Sequence, residues 1–120
     1  MRENRTYGLT RGRSGNAASL YSTDPHKIDE QGCNGVPDLV IEILSPGNTK
    51  REMRDKYRVY EESGVLEYWL VYPLDREVRV YVLNLEGKYI GLAPVIEDDL
   101  LQSAVFPDLK IDLKPVFAEK

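Results

Sequence analysis

One cysteine, one histidine and one tryptophan occur in 120 residues, and each scarcity closes off a class of chemistry. Cys33, between Gly32 and Asn34, has no second thiol for an internal disulfide or a zinc site, and reads as a loop residue. His26 stands alone beside Pro25 in a polar stretch, where an imidazole is a solvated side chain. With no histidine placed to activate its hydroxyl, Ser45 in Ser45-Pro46-Gly47 ends a strand and is no nucleophile. No apolar run approaches the roughly 20 residues that span a bilayer, and no hydrophobic segment follows Arg2, Arg5, Arg11 and Arg13, so a cytoplasmic chain with no membrane partner is expected. Positive charge is also short. Sixteen Lys and Arg face 20 Asp and Glu, a net −4, which argues against a whole-surface nucleic-acid binder because that affinity comes from phosphate neutralisation. Internal repeats and low-complexity core segments are missing too.

What is present is an ordinary globular composition, 42% hydrophobic and 30% charged, in a chain long enough for one core and too short for two. Residues 1–22 show no sustained period and are expected to be irregular or disordered, with the ordered domain over 23–120. Asp24-Pro25 opens a turn and residues 27–35 read as a polar loop. A strand is expected over 37–44, stopped by Ser45-Pro46-Gly47-Asn48. Thr49 with Glu52 three residues on forms a capping box, so a helix should run over 49–63 with Gly64 at its C-terminal end. Met53, Tyr57 and Tyr60 give its inward stripe, bordered by Lys56. A second buried strand spans 67–72, a hairpin leads into 77–83, and a turn at 84–87 leads into 88–92. Residues 104–113 read as one more short edge strand or an extended wrap. Strand, helix and strand over 37–72 imply a right-handed crossover and therefore a mixed sheet, an α/β (α+β) fold.

Within the first buried strand, side chains alternate, so Asp38, Val40 and Glu42 share one face while Leu39, Ile41 and Ile43 share the other. Glu42 then lies mid-strand in an apolar run. Burying an unpaired carboxylate costs several kcal/mol, so Glu42 needs a cation, a proton or a metal. Lys56 can reach it from the helix while its stem packs on apolar neighbours. Strand carboxylates followed by a helical lysine also suit metal-assisted phosphodiester cleavage, because Mg²⁺ takes a few carboxylates plus water and substrate phosphate. The run 50–58 carries five cations against two anions, Glu52 and Asp55; for such a run a solvated helix face laced with i,i+4 pairs is the usual explanation. Tyr60, Tyr68 and Trp69 fall on elements with buried periodicity and read as core or rim aromatics.

The runs 32–46 and 67–71, with Lys56-Tyr57 and Tyr60 between them, resemble the Uma-type restriction endonuclease family of the PD-(D/E)XK nuclease superfamily over about residues 22–117. The resemblance implies a restriction-endonuclease-like mixed β-sheet with a flanking helix. It further implies a DNA substrate, Mg²⁺ (or Mn²⁺) as cofactor, Glu42 as catalytic acid and metal ligand, Asp38 as a second metal-binding carboxylate and Lys56 as the water-orienting cation. Homodimerisation is the analogy with nucleases that cut both strands. Relatives carry a Pro-Asp pair whose Asp is the main metal ligand. Here Ala18 stands about where that Asp would be, and the N-terminal part is shorter than in relatives, which is expected to leave the fold incomplete and a sheet edge exposed. Cleavage is therefore expected to be slow or absent, the alternative being a degenerate, non-catalytic interaction module or gene fragment.

Overall fold

The computed structural model describes residues 5–11, 17–22, 28–29, 32–33 and 36–118, the first four stretches as strand backbone. Residues 1–22, expected to be irregular, instead contain two strands, β1 (Arg5–Arg11) and β2 (Ala17–Ser22), which pair antiparallel. A shift in their register between Thr6 and Leu9 explains why no alternation was legible there, since an extra residue in a ladder breaks the period of two. Residues 27–35, expected as a loop, hold the two-residue strands β3 (Ile28–Asp29) and β4 (Gly32–Cys33), so Cys33 belongs to a short ladder. The turn expected at Asp24-Pro25, and His26 with it, lie outside the described residues.

From here the periodicity expected from sequence is followed closely. The first buried strand is β5 (Leu39–Ile43), followed by helix α1 (Lys50–Ser63). The Thr49 hydroxyl accepts the Glu52 backbone N–H at 3.1 Å, which is half of the capping box; the Glu52 carboxylate accepts from the Asn48 side chain instead. Gly64 ends the helix at φ 87°, a left-handed conformation that glycine adopts without Cβ strain. Strand β6 (Glu67–Tyr72) follows and pairs parallel to β5, as a strand–helix–strand crossover requires. Strands β7 (Glu77–Leu83) and β8 (Tyr89–Gly91) complete the antiparallel meander, joined by a turn in which the Asn84 side chain accepts the backbone N–H groups of Glu86 and Lys88. The short β9 (Val95–Ile96) pairs with the start of β7.

The sheet thus runs β1-β2-β5-β6-β7-β8, mixed and seven-stranded with β9. Because β2 pairs with β5, the central strand is not left as the exposed edge that a shortened start would give. Within 104–113 the expected short strand is β11 (Lys110–Asp112); it pairs with β10 (Leu100–Gln102) in a separate two-stranded ladder, and the short helix α2 (Leu113–Val116) follows. No alternating run marks such short strands, and their pairing is with each other across a turn.

Two cores result, one on each face. Leu39, Trp69, Val71, Val78 and Val80 pack beneath the C-terminal wrap of Leu101, Phe106, Leu113 and Phe117. Val40, Tyr68, Leu70 and Tyr89 pack beneath α1, which contributes Tyr57 and Tyr60. Glu42 has the parity of Val40 and so lies on the helix face; Glu67 has the parity of Trp69 and lies on the other.

Candidate functional site

Glu42 is buried, with 2% of its surface exposed, near the C-terminal end of β5. The Lys56 ammonium donates to Glu42 Oε2 at 2.8 Å, and the Tyr60 hydroxyl donates to Glu42 Oε1 at 2.8 Å. Lys56 and Tyr60 are one helical turn apart, so both reach inward over the same strand residue. Each carboxylate oxygen is thereby satisfied, which offsets the cost of taking the charge out of water. The amine expected from the helix does meet the acid, on the same side of the sheet.

Tyr60 belongs to a cluster of tyrosines on this face of the sheet. Tyr60 meets Tyr68 edge-on with ring centroids 5.0 Å apart, and Tyr57 meets Tyr81 and Tyr89 edge-on at 5.2 Å each. The Tyr89 hydroxyl donates to the Val65 carbonyl at 2.8 Å. Tyr68 is fully buried, yet its hydroxyl finds no partner among the described residues. Burial first, then the negative charge of Glu42, pushes the Tyr60 and Tyr68 phenols far above their ordinary ionisation range, and burial does the same for Tyr89.

That tyrosine set gives a pH prediction. A phenol whose folded pKa lies above its unfolded value of 10.0 adds stability that is whole below pH 10 and is lost as pH rises beyond it, because only the unfolded state then releases the proton. For the fully buried Tyr68 the loss should approach about 1.4 kcal/mol per pH unit above that point. Urea midpoints measured from pH 8 to 11.5 should stay level to about 10 and then fall, less steeply in Tyr68→Phe.

Other residues singled out from sequence fall elsewhere. Asp38 precedes β5, four residues before Glu42, which in an extended chain is about 13 Å along the strand. Across the ladder, the residue in register with Glu42 is Ala18 on β2, and alanine brings no oxygen. Among the described residues no group of three or more His, Cys, Asp and Glu converges into a metal cluster. Beside the site, at the C-terminal ends of β5 and β6, a cavity of about 400 Å³ is lined mainly by apolar groups, among them Leu44, Pro46, Met53, Tyr72 and Pro73.

Two partners escaped the sequence reading. Tyr60 is the second donor to Glu42 as well as a core aromatic. Glu67, 0% exposed, is a second buried acid: its Oε1 accepts from the Ser103 hydroxyl at 2.7 Å and from the Ala104 and Val105 backbone N–H groups at 2.9 Å, while Oε2 accepts from the Trp69 indole at 2.5 Å. The alternation argument that flagged Glu42 applies equally to Glu67 at the head of an apolar strand.

The ion pair itself is testable. Lys56→Met removes the ammonium and leaves the carboxylate with Tyr60 alone, a loss of about 3 kcal/mol, read as a lower melting temperature. Replacing both partners by apolar residues, Glu42→Leu with Lys56→Met, should restore part of it, the remainder being the Tyr60 hydroxyl left without its acceptor.

The family model described as "Uma2: Putative restriction endonuclease" matches residues 16–114. Among solved structures, a "putative nuclease belonging to DUF820" from Anabaena variabilis superposes with a TM-score of 0.62 at 22% identity, covering 97% of this chain and 69% of that one. No curated protein matched the chain. The mixed sheet with its flanking helix is thus a nuclease-like fold, and, with the family model spanning most of its length, the chain belongs to the Uma2 restriction endonuclease family.

Proposed function

We propose that this chain is a DNA endonuclease-type domain of the PD-(D/E)XK kind, with Glu42 as its acid and Lys56 as its cation, whose divalent-metal site is one carboxylate short, so that phosphodiester hydrolysis is slow or absent. The observation that carries this reading is the pairing of Ala18 with Glu42 across the β2–β5 ladder. A hard divalent ion needs a few oxygen ligands of net negative charge. Here Glu42 stands in an ion pair of zero net charge, Ala18 faces it in register, and Asp38 is about 13 Å along the strand. The described residues therefore do not make a Mg²⁺ or Mn²⁺ site.

What remains at Glu42 is binding and positioning chemistry. The ammonium of Lys56, its side chain 24% exposed, is the group through which the pair meets solvent, and it gives one of its three N–H donors to Glu42, which leaves donors for an oxygen such as that of a phosphodiester. Supercoiled plasmid incubated with the protein and Mg²⁺ or Mn²⁺, beside Glu42→Ala, is expected to stay intact or nick only slowly in both. Robust cutting that disappears in Glu42→Ala would overturn the reading and make this a competent endonuclease.

A further inference from the structure

We infer that the cavity between the C-terminal ends of β5 and β6 and the start of α1 is a binding site for a small, uncharged aromatic molecule. Its volume of about 400 Å³ falls in the range of roughly 300–1,000 Å³ that holds small organic ligands. β5 and β6 run parallel and end side by side, after which the chain enters α1 from one and the hairpin to β7 from the other. Connections that diverge from parallel strand ends leave a crevice there, as at the ligand-holding strand ends of open α/β sheets. Neither the Glu42–Lys56 pair nor a phosphate takes part, so the site is independent of the proposed nuclease function.

The walls are tied down by their own hydrogen bonds. The Leu44 N–H donates to the Val71 carbonyl at 3.0 Å, which carries the β5–β6 pairing one residue further and fixes Leu44 in the lining. The turn after β5 is closed by the Ser45 N–H, which donates to Asn48 Oδ1 at 2.7 Å, and by the Asn48 N–H, which donates to the Ser45 carbonyl at 3.0 Å. In the turn after β6 the Arg76 N–H donates to the Pro73 carbonyl at 3.3 Å. The Arg79 guanidinium lies over the Tyr72 ring, 4.4 Å from its centroid, and gives two N–H donors to Glu77 Oε1 at 3.0 and 3.2 Å. A ring held from one side by a tethered cation is preorganised, so little ordering is lost when a ligand packs on it.

The lining selects the ligand. Leu44, Met53, Tyr72 and Leu74 make it mainly apolar, and Leu74, 84% exposed, is a large apolar side chain that an occupant would cover. The one charged residue of the lining is Asp75. An anion would be both dehydrated and repelled there, which sets this site apart from one for a nucleic-acid backbone. A cation would meet the exposed Asp75 only in water, where screening weakens the pull, and the guanidinium already on the Tyr72 ring would oppose it. A flat uncharged ring avoids both costs: it packs on Tyr72 edge-on or offset, with one hydroxyl or N–H for the polar rim of Asn48 and Asp75. Met53 stands three residues before Lys56, so an occupant touches the helix that carries the ion pair one turn before it.

The test is titration of the isotopically labelled chain with p-cresol, in EDTA and without nucleic acid, read as backbone amide shifts by nuclear magnetic resonance. Saturable shifts centred on the amides of Leu44, Met53 and Leu74 are expected, with a Kd of about 1 mM or below. Phenyl phosphate should bind about 10-fold more weakly, because its charge would be dehydrated beside an acid. Cyclohexanol, of similar size but without a π-face, should bind about 5-fold more weakly. Met53→Glu keeps a good helix former and places a charge in the wall, which should weaken p-cresol about 10-fold. Val59→Glu, at an exposed position of α1 outside the cavity, should leave the affinity unchanged. If Met53→Glu fails to fold, Leu74→Asp in the exposed turn tests the same wall and should weaken p-cresol about 3-fold or more. No saturable shift, shifts centred elsewhere, phenyl phosphate or cyclohexanol binding as tightly as p-cresol, an unchanged Kd in the wall variants, or an equal loss in Val59→Glu would each overturn the inference. With neither divalent ion nor DNA present, plasmid cutting and p-cresol binding succeed or fail independently.

Discussion

Replacing Glu67 by alanine should lower the melting temperature by roughly 15 °C or more, as much as truncating a large core side chain. The carboxylate gathers four donors, three of them on Oε1, and three of the four come from the consecutive residues Ser103, Ala104 and Val105. Truncation strands those donors in a dry interior at about 1–3 kcal/mol each, partly relieved by water entering the gap, for a total of about 4 kcal/mol. With each kcal/mol worth about 4 °C or more in a domain of this size, the shift follows.

The wrap should loosen first. Ser103 Oγ also accepts the Phe106 backbone N–H at 3.0 Å, so losing the acid removes the fixed point of the turn that seats Phe106 in the core. Glu67→Gln separates charge from connectivity. Its carbonyl oxygen can still take the three donors of the wrap, but its NH₂ then confronts the Trp69 indole N–H, donor against donor. A loss between the parent chain and the alanine variant is expected, with a change in Trp69 fluorescence. A melting temperature within 2–3 °C of the parent for Glu67→Ala, against the ~15 °C expected, would show that the wrap is held by its apolar contacts alone.

Ala18→Asp is expected to move activity as far as Glu67→Ala moves stability. Residue 18 is in register with Glu42 across the β2–β5 ladder, and residues directly opposite in an antiparallel ladder generally have Cβ atoms about 5 Å apart. A carboxylate introduced there brings oxygen next to Glu42 and converts a neutral acid–amine pair into a net negative group, the condition a hard divalent ion needs. Mg²⁺- or Mn²⁺-dependent plasmid cleavage should rise by about 10²-fold or more over the parent chain, the scale on which one well-placed charge-stabilising group acts at a reacting centre. The gain should vanish in EDTA and in Ala18→Asp combined with Glu42→Ala. Without the metal, the added acid lies beside a buried carboxylate, so Ala18→Asp should also melt lower than the parent and recover when Mn²⁺ is added. Failure to gain either cleavage or a metal-dependent melting shift would mean that the alanine is not what disables the site.

Much of the helix face was legible from residues 36–92, and the reason is local. Glu42 in an apolar alternating run, Thr49 and Glu52 around a helix start, Gly64 at a helix end and Asn84 in a turn each state a backbone or burial requirement within a few residues of themselves, and α1, β5, β6, β7 and β8 follow them. The need for a cation, a proton or a metal at Glu42 was equally plain, because a carboxylate at a buried parity position cannot be left alone. Lys56 was placed within reach by helical period, and the pair is formed.

What only the tertiary structure decided lies where pairing is long-range or period is broken. β1 and β2 carry a register shift that hides their alternation, and their place in the sheet depends on the ladder to β5. Glu67 is satisfied by residues 36 to 38 positions away, a clasp that no window around residue 67 contains. Which cations of α1 would be spent on acids and which left outward was fixed by helix rotation over the sheet. The sequence by itself determined the elements and the demand for charge balance, since these follow from short-range sterics and the cost of dehydrating a carboxylate; the fold alone chose which distant groups meet that demand, since chain-distant neighbours exist only once the sheet has closed around them.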